Sequence, residues 1–481
     1  MASTFGGVSI CSAGLYSSQT QMYTSNVNIT NAATPGYTRQ VVSQTPGYTT
    51  TMQNGVVVVG ISPDDMRVEQ ERSTYLDQRY WNEQPGVGEW QMKTTTMGQM
   101  ESIFNNLDDS GLSSLLDALD QSMENLTTTP QDSAARTEVI QDLVALSDTL
   151  NSTAQELYDL QTSVMNDVEY TVGTINQVSA EIASLNEEIL ATELAGGNAS
   201  ALEDKRNMLA DDLSTLTDIT VIEEVSGWTS VGQPITSYTV KSGNSLLVSH
   251  DDAYDLAIEE TIDSKGMRSL AVTWEESGQA YSTGGGTLKG QMDIVNGAGE
   301  DGSYKGIPYY MNELDTFAET LVTAMNSIHE AGYGLDGTTG EALFDPTATS
   351  AMTIQVSEDL IEHPEKLAVA SAGNQAGNSE NIRAMVDLLN APSTFEEGSF
   401  NDHVSRMTIE LGSNNAYAEK KYESAYDLTL QIDQSRLSVS GVSVDEETAN
   451  IALQQQIYDA TAQMMQVWSE IIETTINQLG G

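Results

Sequence analysis

The sequence predicts a mainly α-helical protein with one inserted β-rich domain, in which the two ends of the chain pair as a coiled coil. Apolar residues follow a helical spacing over residues 134–190, whereas residues 219–296 alternate with a period of two. Both ends also show helical spacing but contain few large side chains. Because helical segments flank the β-rich segment on both sides, we expect a nested, multi-domain chain in which outer segments pair with outer ones. The predicted domains are a terminal coiled-coil inner domain (1–60 with 440–481), a helical-bundle middle domain (61–218 with 297–439) and a small outer β-rich domain (219–296).

Residues 8–29 predict a helix with a short heptad pattern. Small or apolar residues recur at alternating spacings of three and four, which is typical of coiled coils. Residues 34–37 (Thr-Pro-Gly-Tyr) then predict a type II turn, because Pro is favoured at its second position and Gly at its third. The run Thr-Pro-Gly-Tyr-Thr recurs at residues 45–49, and valines at 41–42 and 56–59 predict short strands.

The helical pattern from Val139 to Ile189 predicts one long helix, about 75–85 Å in length at ~1.5 Å per residue. Pro130 and Asp132 precede it as start signals. The segment 196–198 (Gly-Gly-Asn) should end it, and a shorter helix should then return as a hairpin. We favour packing within the domain over an intermolecular coiled coil, because such a helix usually packs against its own returning partner.

In the β-rich segment, three glycines (284–286) precede a strand-like run at residues 287–289. Helical patterns then return in four segments: 309–328, 380–389, 407–437 and 446–479.

The apolar surface of the last helix is too broad for one helical partner. One face carries Ile451, Tyr458, Ala462, Met465, Ile472, Ile476 and Leu479, and the adjacent face carries Leu453, Ile457, Met464, Val467 and Ile471. We therefore expect the N-terminal helix to cover one part and neighbouring subunits another, with both terminal helices mobile in the monomer and ordered on assembly.

Composition excludes several classes of partner. The chain has 70 acidic and 19 basic residues among 481, a net charge of −51, which argues against nucleic acid and anionic membranes as partners.

Cys11 is the only cysteine, so no intramolecular disulfide or cysteine-based metal cluster is expected. No stretch approaches the ~18 apolar residues of a membrane span. No basic residue precedes Arg39, so a secretory signal peptide is not expected; the chain is either cytoplasmic or exported without a cleaved signal.

Catalytic motifs are absent from the sequence. The four histidines occur in unrelated contexts, and acidic doublets are expected by chance among so many carboxylates. The Gly-rich run at residues 334–340 follows a helix, so it predicts a turn rather than a phosphate-binding loop. We predict no enzymatic activity, no cofactor and no metal site.

The two ends of the chain resemble the terminal motifs of bacterial flagellar rod, hook and hook-associated axial proteins. The segment from Ser25 to Tyr37 is similar to the N-terminal signature of that family, and Arg39-Gln40 is similar to its members at the hook–filament junction. Residues 441–462 are similar to the C-terminal motif of the family, and residues 326–344 and 377–381 to internal segments. The departures are Thr30, Ala33, Gln454 and Ile457, which are conservative for helix packing.

The resemblance implies a structural adaptor without enzymatic activity. Such a subunit would be exported unfolded through the flagellar type III apparatus and would form a ring at the distal end of the hook, outside the cell. Its neighbours would be the hook protein, hook-associated protein 3 and further copies of itself. A dedicated cytoplasmic export chaperone would cover the C-terminal helix before export.

The resemblance also implies two sets of site residues. In the inner tube of the assembly, the residues expected to pack together are Val8, Leu15, Met22 and Ile29 with Ile451, Tyr458, Met465 and Ile472. The residues expected to fix the turn that leaves this tube are Asn26, Asn31, Thr34, Pro35, Gly36, Tyr37, Arg39 and Gln40.

Other functions were weighed against this one. Within the same family, the alternative is hook-associated protein 3 or a flagellin-like filament subunit, which lack the Thr-Pro-Gly-Tyr-x-Arg-Gln run. An acidic extracellular hydrolase would need two carboxylates placed in a cleft, and the sequence places no such pair. A cytoplasmic coiled-coil regulator would explain the long helix but not the terminal motifs.

Overall fold

The structure, a computed structural model, describes residues 4–44, 48–49, 58–59, 66–105, 111–228, 234–263, 266–339, 341–348, 350–396 and 398–479. Its helices are α1 (Thr4–Asn31), α2 (Thr74–Asn105), α3 (Leu112–Thr128), α4 (Ser133–Leu194), α5 (Ser200–Leu216), α6 (Thr287–Asn296), α7 (Ile307–Ala331), α8 (Glu358–Glu362), α9 (Glu380–Leu389), α10 (Phe400–Ser440) and α11 (Val444–Leu479). Its strands are β1 (Gln40–Gln44), β2 (Tyr48–Thr49), β3 (Val58–Val59), β4 (Met66–Gln70), β5 (Thr220–Trp228), β6 (Pro234–Ser242), β7 (Ser245–Ser249), β8 (Asp252–Ala253), β9 (Leu256–Ile262) and β10 (Arg268–Trp274).

The helices pair from the outside of the chain inwards. The first helix, α1, packs along the last, α11, and α2 packs along α10. The main hydrophobic cluster extends in sequence from Trp81 to Leu411 and includes no residue of α1 or α11. The paired terminal helices therefore lie outside the core of the body (residues 66–436). The mainly α architecture with a small β region is confirmed.

The long central helix forms as predicted. α4 contains 62 residues, which corresponds to about 93 Å, and the Asp132 side chain caps it by accepting a hydrogen bond from Ala134 N at 2.9 Å. Every apolar position of the predicted pattern is buried except Leu160, which is half-buried. The helix ends before Gly196, whose φ is 77°, and α5 returns alongside α4. The predicted helical hairpin is therefore present.

The β region packs on one side of α4. Strands β5, β6, β7 and β8 form one antiparallel sheet in that order, and β9 pairs with β10. The predicted strand at residues 287–289 is wrong, because α6 begins there. Leu288, Gln291 and Ile294 are buried at a spacing of three, so the segment packs as a helix; the three residues on which the prediction rested are too few to distinguish the two periods.

Helix α2 was not predicted individually, because Pro85, Gly86 and Gly88 interrupt its pattern. The glycines have a packing reason. A Cβ atom at Gly88 would lie 2.2 Å from the carbonyl oxygen of Thr215, at the end of α5. The backbone of α2 therefore approaches α5 too closely for any side chain, and this tertiary contact overrides the local preference against a helix.

A buried ion-pair network holds α2, α5 and α10 together. The guanidinium of Arg436 donates to Asp77 Oδ1 at 2.8 Å and to Asp211 Oδ2 at 3.0 Å. Trp81 Nε1 donates to Asp211 Oδ1 at 2.6 Å, and Arg436 stacks over the ring of Tyr80 at 4.3 Å. Only 11% of the Arg436 side chain is exposed, so it is largely withdrawn from water.

The internal segment 326–344 is held by two polar side chains of α7. Asn326 donates from Nδ2 to the Phe344 carbonyl at 3.0 Å and accepts from the Phe344 N–H at 2.8 Å. His329 Nε2 accepts a hydrogen bond from Ala368 N at 3.0 Å. Burial lowers the pKa of His329, so the ring is neutral in the fold. These hydrogen bonds show that the segment 326–344 helps to hold the fold together.

Candidate assembly site

The predicted turn at residues 34–37 is present where α1 ends. Tyr37 N donates to the Thr34 carbonyl at 3.2 Å, and Gly36 has a φ of 72°, as a type II turn requires. Gly36 also lies against α5. A Cβ atom there would lie 2.1 Å from Met208 Sδ, but the exposed methionine side chain can move aside, so it is the backbone conformation that requires glycine.

Asn28 connects the end of α1 to the start of β1 through hydrogen bonds. Its side chain is fully buried; Oδ1 accepts from Tyr37 Oη at 2.8 Å and from Gln40 N at 2.9 Å. Its Nδ2 donates to the Gln40 carbonyl at 2.9 Å. Both the oxygen and the nitrogen of this amide thus hold residues 37–40 beside α1.

Asn28 was not among the predicted site residues. Of those that were, Asn26 is exposed, and Asn31 donates to the Val27 carbonyl at 2.9 Å within its own helix. The sequence signal for Asn28 is its position three residues after Ser25, on the same side of the helix as the heptad pattern. An asparagine on this side of the helix indicates a specific buried hydrogen bond.

Asp204 of α5 connects this segment to the body. Its Oδ2 accepts from Thr38 N at 3.2 Å, and its Oδ1 accepts from Gln70 Nε2 at 2.8 Å. Burial raises the pKa of Asp204, while the hydrogen bonds from Thr38 and Gln70 oppose that rise. One carboxylate thus joins the N-terminal motif, β4 and α5.

Arg39 joins the N-terminal motif to the C-terminal one. Its Nε donates to Glu447 Oε1 at 2.8 Å, and its Nη1 lies 3.4 Å from Glu71 Oε2 and 3.6 Å from Glu446 Oε2. The Arg39 N–H also donates to the Ser440 carbonyl at 2.8 Å. The Glu447 side chain is only 3% exposed, so this is the least hydrated pair of the group. This region, hereafter the joint, comprises residues 28–40, 70–71, 204–208 and 440–447.

The remaining predicted turn residues lie at the edge of the joint. Thr34 and Pro35 are exposed, and Gln40 opens β1 opposite Gln70 of β4. The second predicted turn, at residues 45–49, lies mostly outside the described residues, as do residues 56–57 of the predicted second strand. Residues 58–59 form β3, which pairs with β2.

Helices α1 and α11 run antiparallel with closely spaced backbones. A Cβ atom at Gly7 would lie 2.3 Å from the Trp468 ring, and one at Gly14 would lie 3.2 Å from Thr461. Small residues (Cys11, Ser18) are buried in this interface. The predicted large residues are half-buried: Val8, Leu15, Met22, Ile29, Ile451, Tyr458, Met465 and Ile472. Small side chains therefore set the helix spacing.

The pairing of these eight residues stays a prediction; two contacts between the helices involve three of them. Val8 and Ile472 line the same groove at the open end of the pair. Gln19 Nε2 lies 3.5 Å from Tyr458 Oη. The second apolar face of α11 remains exposed in the single chain, with between 41% and 53% of each residue accessible: Leu453, Ile457, Met464, Val467 and Ile471.

Glu203 precedes Asp204 in α5 and lies beside the joint. Its carboxyl group changes charge near neutral pH. Burial raises its pKa to about 7, with Arg206 opposing the rise and Glu223 adding to it. Because the ordinary pKa is 4.5, the contribution of Glu203 to stability is full below pH 4.5 and is lost as the pH rises through 7.

We therefore expect Glu203→Gln to stabilise the protein at pH 8 and to change its stability little at pH 4.5. Thermal unfolding at both pH values measures this. The exposed Glu187→Gln is the matched control, which should change the melting temperature equally little at both pH values. An equal effect of Glu203→Gln at pH 4.5 and pH 8 would contradict the assignment.

Among the described residues, no group of three or more His, Cys, Asp or Glu side chains is arranged to hold a metal ion. No helix in the described ranges is long and apolar enough to cross a membrane.

Comparison with known proteins gives one consistent family. The family model for the helical domain of flagellar hook-associated protein FlgK matches residues 97–344, slightly more than half of the chain. The chain is 27% identical to flagellar hook-associated protein 1 of Bacillus subtilis, over 100% of this chain and 99% of that one. It is 24% identical to the protein of the same name from Escherichia coli, over 97% and 98% of the two chains.

A solved structure, the flagellar hook junction protein FlgK from Burkholderia pseudomallei, has a similar fold. The TM-score is 0.63 with 13% sequence identity, and the match covers 76% of this chain and 100% of that chain. The fold and the family match together define a structural component of the bacterial flagellum. The chain belongs to the FlgK family of flagellar hook-associated proteins.

Proposed function

We propose that this protein is the adaptor that assembles at the distal end of the flagellar hook and forms the junction on which the filament is built. Its membership of the FlgK family supports this proposal, as does the geometry of the joint. It acts through binding alone, without enzymatic activity. Its neighbours in the assembly are the hook protein, hook-associated protein 3 and further copies of itself.

The observation that carries the proposal is the meeting of both terminal motifs at Arg39. Both terminal helices leave the body at this point, and the second apolar face of α11 remains uncovered. An exposed apolar face of this length on a strongly acidic chain fits neighbouring helices in an assembly. We propose that α1 and α11 enter the inner tube, while the body forms the layer outside it.

Before assembly the same apolar face needs protection. We propose that an export chaperone covers α11 in the cytoplasm and that the chain then leaves unfolded through the flagellar type III apparatus. The final location is the hook–filament junction outside the cell.

The proposal is tested by mixing the purified protein with isolated hooks and imaging their distal ends by electron microscopy. We expect the hooks to gain a defined cap and to accept hook-associated protein 3 only after capping. If hook-associated protein 3 binds bare hooks equally well, or if the protein stays free beside uncapped hooks, the proposed function is wrong.

A further inference from the structure

Helix α1 has an exposed aromatic surface on the side away from α11. Tyr16 and Tyr23 have 55% and 71% of their surface exposed. They are seven residues apart, close to two helical turns, so they share one face of α1. Gly14 lies against Thr461 of α11 and precedes Tyr16 by two residues, so the two positions face nearly opposite directions. This surface is hereafter the tyrosine face.

The second apolar face of α11 has the same repeat. Ile457, Met464 and Ile471 are also spaced by seven residues and are exposed. Because α1 and α11 are antiparallel and Gly14 lies against Thr461, the two tyrosines are level with residues 452–459 of α11. Both surfaces therefore occupy the same part of the helix pair, and each presents large side chains about 10.5 Å apart along its helix.

Neither surface carries a charge, although the whole chain has a net charge of −51. Helix α1 contains no acidic or basic residue and no histidine. After Glu447, α11 contains only three charged residues, Asp459, Glu470 and Glu473, and none of them belongs to the row formed by residues 457, 464 and 471. Copies of so acidic a chain repel each other, so a close contact between them costs least where charges are absent.

The two surfaces have complementary chemistry. A tyrosine ring packs on apolar side chains while its hydroxyl stays at the edge of the contact, where it finds a hydrogen-bond partner or water. Rows with the same seven-residue repeat interdigitate along two neighbouring helices, as in coiled coils. Within one chain these two surfaces cannot meet, because the tyrosine face lies on the side of α1 away from α11. Each surface therefore needs another chain.

We propose that the tyrosine face of α1 packs against the second apolar face of α11 in a second copy of this chain. The contact joins two different surfaces, so it is heterologous and repeats from copy to copy around an axis. This inference rests on the proposed assembly of α1 and α11 in an inner tube, and it names the two surfaces through which neighbouring copies meet there.

Chemical cross-linking between two single-cysteine variants tests the contact. Both carry Cys11→Ser; one adds Ser12→Cys, an exposed position one turn before Tyr16, and the other adds Ala460→Cys, between Ile457 and Met464. Both tyrosines and the apolar row stay intact. The two proteins are mixed, allowed to cap hooks and treated with a short bismaleimide. We expect a cross-linked dimer that contains one chain of each kind and forms only in capped hooks.

The matched control replaces Ala460→Cys by Gln455→Cys, which is exposed on another side of α11. We expect this mixture to cap hooks equally well and to give at least ten-fold less mixed dimer. Capped hooks in which the Ala460→Cys mixture gives no more mixed dimer than the control would overturn the contact while leaving the proposed function intact. A product joining the Ser12→Cys chain to the hook protein instead would overturn it as well.

Removal of the aromatic rings gives a second, independent test. We expect Tyr16→Ser with Tyr23→Ser to reduce hook capping at least ten-fold, because the tyrosine face then loses its large side chains. Tyr170→Ser with Tyr75→Ser removes two exposed tyrosines of the body and should leave capping unchanged. Circular dichroism of each variant shows whether the fold is retained.

Normal capping by the Tyr16→Ser, Tyr23→Ser protein would overturn the contact. Failure of the unsubstituted protein to cap hooks would instead refute the proposed function.

Discussion

Replacing Gly36 by Val should abolish hook capping while leaving the body of the chain folded. Gly36 has a φ of 72°, which a β-branched residue adopts only with strain, whereas the Met208 side chain beside it is exposed and can move aside. A valine there therefore changes the backbone conformation of the turn, which displaces Thr38 from Asp204 and changes the direction of α1. We expect capped hooks to fall below detection, while the far-ultraviolet circular dichroism retains most of its helical signal.

A second glycine separates backbone strain from the position of the joint. Gly243, in the turn between β6 and β7, also has a positive φ, of 55°, but has no neighbour within 4 Å of a Cβ position. Gly243→Val should cost some stability and still cap hooks. If Gly36→Val caps hooks normally, the turn does not set the direction of the terminal helices.

Replacing Arg436 by Met should lower the free energy of unfolding by about 3 kcal/mol, because it removes the counter-charge of the half-buried Asp211 and one of the two arginines at the buried Asp77. Burial already raises the pKa of Asp211, and Arg436 opposes that rise. Without the arginine the pKa rises further. Since a raised folded pKa means that stability is lost as the pH increases, the variant should be weakened more at pH 8 than at pH 4.

Urea unfolding of the two proteins at both pH values measures this effect. Arg383→Met is the control, because Arg383 is exposed and its loss should change stability by less than about 0.5 kcal/mol. An Arg436→Met protein as stable as the original at pH 8 would show that the network does not hold α2, α5 and α10 together.

The elements predicted well are those in which one periodic pattern decides the structure. α4 repeats its apolar spacing over some fifty residues, so local pattern and tertiary packing agree. The turn at Gly36 was predicted for a similar reason, because its backbone conformation needs only the local residues Pro35 and Gly36.

The elements that were missed depend on distant parts of the chain. α2 is a helix despite Pro85 because Gly88 packs against Thr215, about 130 residues away, and no local pattern records that contact. Asn28 acquires its role from the return of residues 37–40 beside α1. The three apolar and polar residues at 287–289 fit a strand or a helix, and burial against the body decides for the helix.

The sequence predicted many of the residues of the candidate site but few of the contacts between them. Arg39 and the C-terminal motif at residues 441–462 were both noted in the sequence, but the pairing of Arg39 with Glu447 needs the fold to bring together residues more than 400 positions apart. Asp204, which holds Thr38, lies in a helix predicted only as the return of a hairpin. The sequence therefore indicated which ends of the chain matter, and the structure shows the contacts that join them.

Electron cryomicroscopy of hooks capped with this protein tests the central claim most directly. We expect the innermost layer of the cap to contain the antiparallel pair of α1 and α11, with the body in the layer outside and the joint between the two layers. A cap in which the body lines the channel, or in which the terminal helices point away from the axis, would contradict the account.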